Sequence, residues 1–213
     1  MNDASIDELI DGLAGDLEPV RPRRIARASL WVGAGWLAAA ALLLWLFGMR
    51  RDMAAMPAMS MLSFWLVAAV AIAAIWSALR MGLPGVGRDH GGWRWAALAA
   101  LALPLSALFV GLGDGHRAVE TARGGTELPC LPMALLAGLG VGGALFAWLR
   151  GGAPTSPARA GWVIGIASGA SGATIAALHC PVDDIVHIAL WHGGAVLLAA
   201  LAGRLALPPL LRW

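Results

Sequence analysis

The sequence predicts an all-α integral membrane protein: a bundle of six transmembrane helices preceded by a short cytoplasmic amphipathic helix. Two observations support this fold class. Of the 213 residues, 59% are hydrophobic and only 13% are charged, whereas a soluble domain has about 25% charged residues. In addition, six stretches are long and apolar enough to cross the hydrocarbon core, which takes about 20 residues in helical form.

The predicted spans divide the chain into a tail, residues 1–27, and a membrane domain, residues 28–213. An arginine, a proline–glycine cluster or a polar run marks each boundary. The six spans are residues 28–48, 59–79, 93–113, 131–149, 161–179 and 185–207. Glycines four residues apart, which allow helices to approach closely, predict tight packing of the fourth and fifth spans; they are Gly138, Gly142, Gly161, Gly165 and Gly169.

The arginines predict how the protein is oriented. With the N-terminus inside, eleven of the 15 basic residues fall in inner segments and four in outer segments. Because cytoplasmic loops carry an excess of basic residues, both termini are expected in the cytoplasm. The net charge of +2 is too small to indicate direct binding of nucleic acid.

The tail is predicted to form an acidic helix with one apolar face. Ser5-Ile6-Asp7-Glu8 has the form of a capping box, which predicts a helix start at Ser5. The apolar residues that follow at helical spacing form a stripe: Ile6, Leu9, Ile10, Leu13 and Leu17. An acidic helix is unfavourable on an anionic membrane surface. Two interpretations remain: the stripe packs against the protein's own inner loops, or it docks into an apolar groove of a soluble basic protein.

The two cysteines are both predicted at the outer boundary of the membrane. Cys130 opens the fourth span and Cys180 closes the fifth. These spans form an antiparallel hairpin, so the two residues lie at similar depth and a disulfide is geometrically possible. A structural disulfide and a switchable thiol pair are equally compatible with the sequence.

The densest polar cluster surrounds the second cysteine. It contains His179, Asp184, His187 and His192. Ionisable groups within membrane helices are expensive and are candidates for function, and thiolate with imidazole suits zinc or copper. However, His187 and His192 are five residues apart, so on a regular helix they point about 140° away from each other and form a poor chelating pair. A hydrogen-bonded network, a metal site and a proton- or redox-linked switch all remain open.

The first outer loop is rich in methionine. Met53, Met56 and Met59 lie within seven residues, with Met49 and Met61 on either side. Thioethers are soft ligands that suit Cu(I). The alternative interpretation is that these side chains only fill the membrane interface.

The sequence contains no phosphate-binding loop, nucleophile elbow, HExxH motif or paired carboxylates, and so does not predict an enzyme. An alternative function is a membrane redox protein in which His187 and His192 bind haem or a metal. No cofactor is certain, although a soft metal such as copper or zinc is a candidate signal.

Two segments together resemble a known family. They are the tail from Asp7 to Pro22, and His179-Cys180-Pro181 with Asp184, His187 and Trp191-His192. They resemble the NrsF-type membrane anti-sigma factors of proteobacteria. The resemblance implies a bacterial inner-membrane protein that holds an extracytoplasmic-function sigma factor and releases it under oxidant or heavy-metal stress. It further implies that the tail stripe contacts the sigma factor, and that Cys130 and Cys180 receive the signal at the periplasmic face.

Overall fold

The computed structural model describes residues 3–15, 23–83, 130–152 and 154–212, with single positions at 94, 98, 101 and 105. Within these residues the chain is helical apart from short connections. The helices are α1 (Asp3–Gly15), α2 (Ile25–Phe47), α3 (Ala58–Met81), α4 (Cys130–Arg150), α5 (Pro157–Ala177), α6 (Ile185–Ala206) and α7 (Pro208–Leu211). A 3₁₀ turn, Met53–Ala55, lies between α2 and α3.

In the described part of the chain, five helices are long and apolar enough to cross a membrane: α2, α3, α4, α5 and α6. Their outward surfaces are apolar, and Leu30, Trp45 and Leu205 are each at least 74% exposed. A surface of this kind suits lipid rather than water. These helices correspond to five of the six predicted spans. The remaining one, residues 93–113, lies outside the described residues except for four helical positions.

Helix α5 forms the centre of the bundle. It packs against α3, α4 and α6 and is buried along most of its length. Its glycines make this possible, because a Cβ at Gly165 would overlap the backbone of α6 and one at Gly172 would overlap the backbone of α4. The predicted close packing of the fourth and fifth spans is confirmed. The row Gly161, Gly165 and Gly169, however, faces α6 rather than α4.

The bundle has two ends of different chemistry. At the tail end, which contains the start of α2, the guanidinium of Arg23 donates to the carbonyl of Trp148 and lies 4.0 Å from its ring centroid. The Trp148 indole in turn donates to the carbonyl of Leu79 at 3.0 Å. The start of α2 is therefore tied to the ends of α3 and α4. The opposite end, which we call the cysteine end, contains Cys130 and Cys180.

The tail residues 3–15 form the single helix α1. It begins at Asp3, so the predicted start at Ser5 is wrong and Ser5 lies inside the helix. Ile6, Leu9, Ile10 and Leu13 are between 37% and 62% exposed. The last member of the predicted stripe, Leu17, lies outside the described residues. The stripe's role in binding a partner remains a prediction.

Candidate functional site

The two cysteines meet at the cysteine end of the bundle. Cys130 is the first residue of α4, and Cys180 follows the last turn of α5. Their Sγ atoms are 3.6 Å apart and the thiols are not joined in a disulfide. Cys180 is buried and Cys130 is partly buried. The pair is therefore shielded from bulk solvent yet close enough to act as one unit.

Two histidines complete a four-residue group with the cysteines. His187 is fully buried and His192 is 4% exposed. The Nε2 atom of His187 lies 3.3 Å from Sγ of Cys180, and the two imidazole centroids are 5.6 Å apart. One ligand atom from each of the four residues lies within 4.8 Å of all the others. We call this group the Cys2His2 cluster.

The expectation that His187 and His192 diverge is wrong, because the helix between them is not regular. Residues Ile188–Gly193 form a π-helical segment inside α6. The wider winding of a π-helix, with hydrogen bonds from i to i+5, brings residues five apart onto the same side. Both imidazoles therefore face the cysteines. Segments of this kind are rare and occur frequently at functional sites.

Hydrogen bonds to the backbone fix the elements around the cluster. Asp184 caps the start of α6, where its carboxylate accepts from the backbone N–H groups of Val186 at 2.8 Å and His187 at 3.2 Å. The Nδ1 atom of His192 lies 3.2 Å from the carbonyl oxygen of Ala173 on α5. His179, by contrast, bonds to the carbonyl of Gly48 at 2.9 Å and lies outside the cluster.

A buried arginine ties the end of α2 to the loop that carries Cys180. Gly48 ends α2 with φ +80°, a left-handed conformation that glycine adopts readily. The chain then turns so that Arg50 is buried and donates to both oxygens of Asp183, at 3.1 Å and 2.9 Å. The same guanidinium donates to Asp52 at 2.8 Å and 2.7 Å. The backbone N–H of Arg50 also donates to the carbonyl of Leu178 at 3.0 Å.

These contacts shift the acidity of the groups at this end. Hydrogen bonds from Arg50 hold the pKa of Asp52 below its usual value, and bonds to Asp52 and Asp183 raise the pKa of Arg50. The pKa of Cys180 is lowered, chiefly by its hydrogen bond with Cys130 and further by its hydrogen bond with His187, while burial opposes the shift. The cluster therefore favours the thiolate, which is the form that binds metals and reacts with oxidants.

The methionines contribute unequally. Met56 lines a small cavity of about 30 Å³ together with Cys180 and His192. Met49 and Met133 line a larger cavity of about 390 Å³ that reaches both cysteines. Of the predicted soft ligands, Met53 and Met59 line neither cavity. The structure thus brings Met56 near the cluster.

Sequence reasoning missed Arg50 as part of this site. The sequence shows only an arginine just after the first span, in a segment predicted on the outer face. Its partner Asp183 lies 133 positions further along the chain. No local pattern links residues that far apart, so only the tertiary fold identifies the pair.

The comparisons with known proteins place the chain in a family. The sequence model described as "Negative regulator of sigma F" matches residues 13–213. The chain belongs to the NrsF family. The "Anti-sigma-F factor NrsF" of Caulobacter vibrioides is 35% identical over 97% of this chain and 99% of that protein. The "Probable anti-sigma-F factor NrsF" of Azospira oryzae is 28% identical over the same shares of the two chains. No solved structure matches the chain.

Membership of this family establishes the general class of the protein. Its members are regulatory proteins, negative regulators of a sigma factor, and this class implies a sigma-factor partner. The five apolar helices are those of a membrane protein. The resemblance drawn from the tail and the Cys-Pro and Trp-His segments is confirmed.

Proposed function

We propose that the protein is an anti-sigma factor of the bacterial inner membrane that holds an extracytoplasmic-function sigma factor through its N-terminal tail. The match of residues 13–213 to the negative regulators of sigma F carries this proposal. The tail end of the bundle faces the cytoplasm, which agrees with the excess of arginines in the segments at that end. The cysteine end then faces the oxidising periplasm, where thiol chemistry can serve as a signal.

The tail supplies a surface for the sigma factor. In α1, Ile6, Leu9, Ile10 and Leu13 are exposed on one side of an acidic helix. An amphipathic helix of this kind binds an apolar groove through residues spaced three and four apart. Its carboxylates favour a basic partner, a property common among proteins that bind DNA.

We place the sensor at the Cys2His2 cluster, and the observed contacts suggest how it acts on the tail. Cys180 lies three residues from Asp183, and Asp183 is bonded to Arg50 at the end of α2. Helix α2 is also the helix that directly follows the tail. A chemical change at the cluster that moves the loop 180–184 would therefore shift α2 and alter how the tail is presented. This requires two packing arrangements of the bundle with different affinity for the signal.

Binding of the sigma factor to the full-length protein in detergent micelles tests the proposal. Leu9→Asp and Leu13→Asp place a charge in the docking stripe, so each is expected to weaken binding at least about 10-fold, given the 1.5–3 kcal/mol that a buried leucine contributes. Gly15→Asp is the matched control. It adds the same charge on the opposite side of α1, where a side chain meets no other described residue. Wild-type binding that both leucine variants retain would contradict the proposal.

A second candidate function, a metal-binding membrane protein without a sigma partner, is favoured by the cluster itself. Haem is a poorer fit than a bare ion, because the two cysteine sulfurs lie beside the imidazole nitrogens, where a porphyrin ring would have to pass. Failure of the sigma-binding assay, together with tight metal binding, would favour this second function.

A further inference from the structure

We infer that Cys130, Cys180, His187 and His192 form a buried four-coordinate site for one soft or borderline metal ion of the Cu(I) and Zn(II) class. The claim that this metal is the signal for sigma-factor release rests on the proposed function. The claim that a metal ion binds here depends only on the four residues and is tested without a sigma factor. The two claims can therefore fail independently.

Two distances within the cluster match those of a tetrahedral centre, and the other pairs of ligand atoms lie within 4.8 Å. With metal–sulfur bonds of about 2.3 Å and metal–nitrogen bonds of about 2.0–2.1 Å, the ligand atoms of a tetrahedron lie about 3.3–3.8 Å apart. The two Sγ atoms are 3.6 Å apart, and Sγ of Cys180 lies 3.3 Å from Nε2 of His187. Small side-chain rotations thus suffice to place all four donors around a common point.

The hydrogen bonding of His192 indicates which of its ring nitrogens can bind a metal. Its Nδ1 atom lies 3.2 Å from the carbonyl oxygen of Ala173, an acceptor only, so Nδ1 carries the proton and donates. The lone pair is then on Nε2, which is buried and has no hydrogen-bond partner among the described residues. A buried polar atom without a partner is unfavourable, because it has lost its hydrogen bonds to water. A backbone carbonyl that orients the other ring nitrogen is the usual arrangement for a metal-binding histidine.

The π-helical segment gives this geometry a structural reason. In a regular helix His192 would point away from His187, and the site would lose one donor. The segment Ile188–Gly193 brings both rings to the same side at a centroid distance of 5.6 Å. Irregular helical winding is unfavourable on its own, so a cluster that depends on it indicates a function beyond packing.

Two features of the surroundings concern the choice of ion. Two thiolates neutralise Zn(II) but leave a net negative charge with Cu(I), and burial favours the neutral site. Thioethers, on the other hand, bind Cu(I) rather than Zn(II). Met56 lines the small cavity beside Cys180 and His192, and Met49 and Met133 line the larger one beside both thiols. An ion that enters through the larger cavity would meet both thiols.

The test uses full-length protein purified in detergent without oxygen and titrated separately with Zn(II), with Cu(I), and with Co(II) as a coloured substitute for zinc. We expect one ion per chain and an X-ray absorption spectrum with two sulfur and two nitrogen neighbours. Bound metal should also protect both thiols from maleimide labelling. Competition with chelators of known affinity then ranks Cu(I) against Zn(II). Wild-type protein that binds neither ion at one per chain would overturn the inference.

Variants test the ligand set. Cys180→Ser, His187→Gln and His192→Gln should each weaken binding by about 100-fold or more, since loss of an outer partner alone costs 10–100-fold. His179→Gln is the matched control, because His179 lies one residue from Cys180 and outside the cluster. Each variant is first checked for native helical content and elution volume. If both cluster histidine variants fold and bind metal as tightly as wild type, the four-ligand site is refuted.

Discussion

The ion pair between Arg50 and Asp183 joins the end of α2 to the loop that carries Cys180, and its contribution to stability can be tested. The Arg50 side chain is 3% exposed, and that of Asp183 is 22% exposed. Removing one partner of a fully buried ion pair costs about 3–5 kcal/mol, and an exposed pair contributes about 0–1 kcal/mol. Because Asp183 keeps some contact with water, we expect Arg50→Gln to lower the free energy of unfolding by about 2–3 kcal/mol.

The assay is reversible unfolding in mixed micelles, followed by helical circular dichroism. Arg51→Gln is the matched control, since it removes the same charge from the adjacent, exposed position. The double variant Arg50→Gln with Asp183→Asn should lower the free energy of unfolding by little more than either single change. The coupling energy between the two positions should be about 1–3 kcal/mol. The reasoning is refuted if Arg50→Gln destabilises no more than Arg51→Gln, or if its effect simply adds to that of Asp183→Asn. In cells, Arg50→Gln should also uncouple sigma-factor release from the stimulus.

Three further predictions concern packing, capping and oxidation. Gly172→Ala should lower the free energy of unfolding by about 1–3 kcal/mol, because its Cβ would overlap the α4 backbone; Gly143→Ala on α4 meets no other described residue and serves as the control. Asp184→Ala removes the cap of α6 and should cost about 1 kcal/mol, with weaker metal binding in the same titrations. Diamide should oxidise the thiols of Cys130 and Cys180 to an intramolecular disulfide, seen as lost maleimide labelling, and bound Zn(II) should slow this reaction.

Each of these has an outcome that would contradict it. Equal stability of the two glycine variants would mean that the α4 backbone does not closely approach Gly172. If Asp184→Ala binds metal as tightly as wild type, the cap of α6 does not affect the geometry of the cluster. Disulfide-linked dimers in place of the intramolecular product would show that the two cysteines do not face each other within one chain.

Hydrophobic length and charge in the sequence were enough to predict most of the fold. Apolar runs of about 20 residues leave helices as the stable form in lipid, and the described residues include helices at five of the six predicted positions. The cysteines could be assigned to one end because alternating spans return to the same side of the membrane. The start of α1 was predicted two residues late, since Ser5 lies within a helix that begins at Asp3.

The tertiary structure decided what the polar residues do at the cysteine end. The π-helical segment reverses the predicted separation of His187 and His192, and helix winding is set by packing and hydrogen bonds that residue spacing does not encode. The bond between Arg50 and Asp183 joins distant parts of the chain, which only folding brings together. The sequence by itself therefore determined which residues lie at each end of the bundle, through the cost of placing polar groups in lipid. Only the three-dimensional packing decided which of them touch.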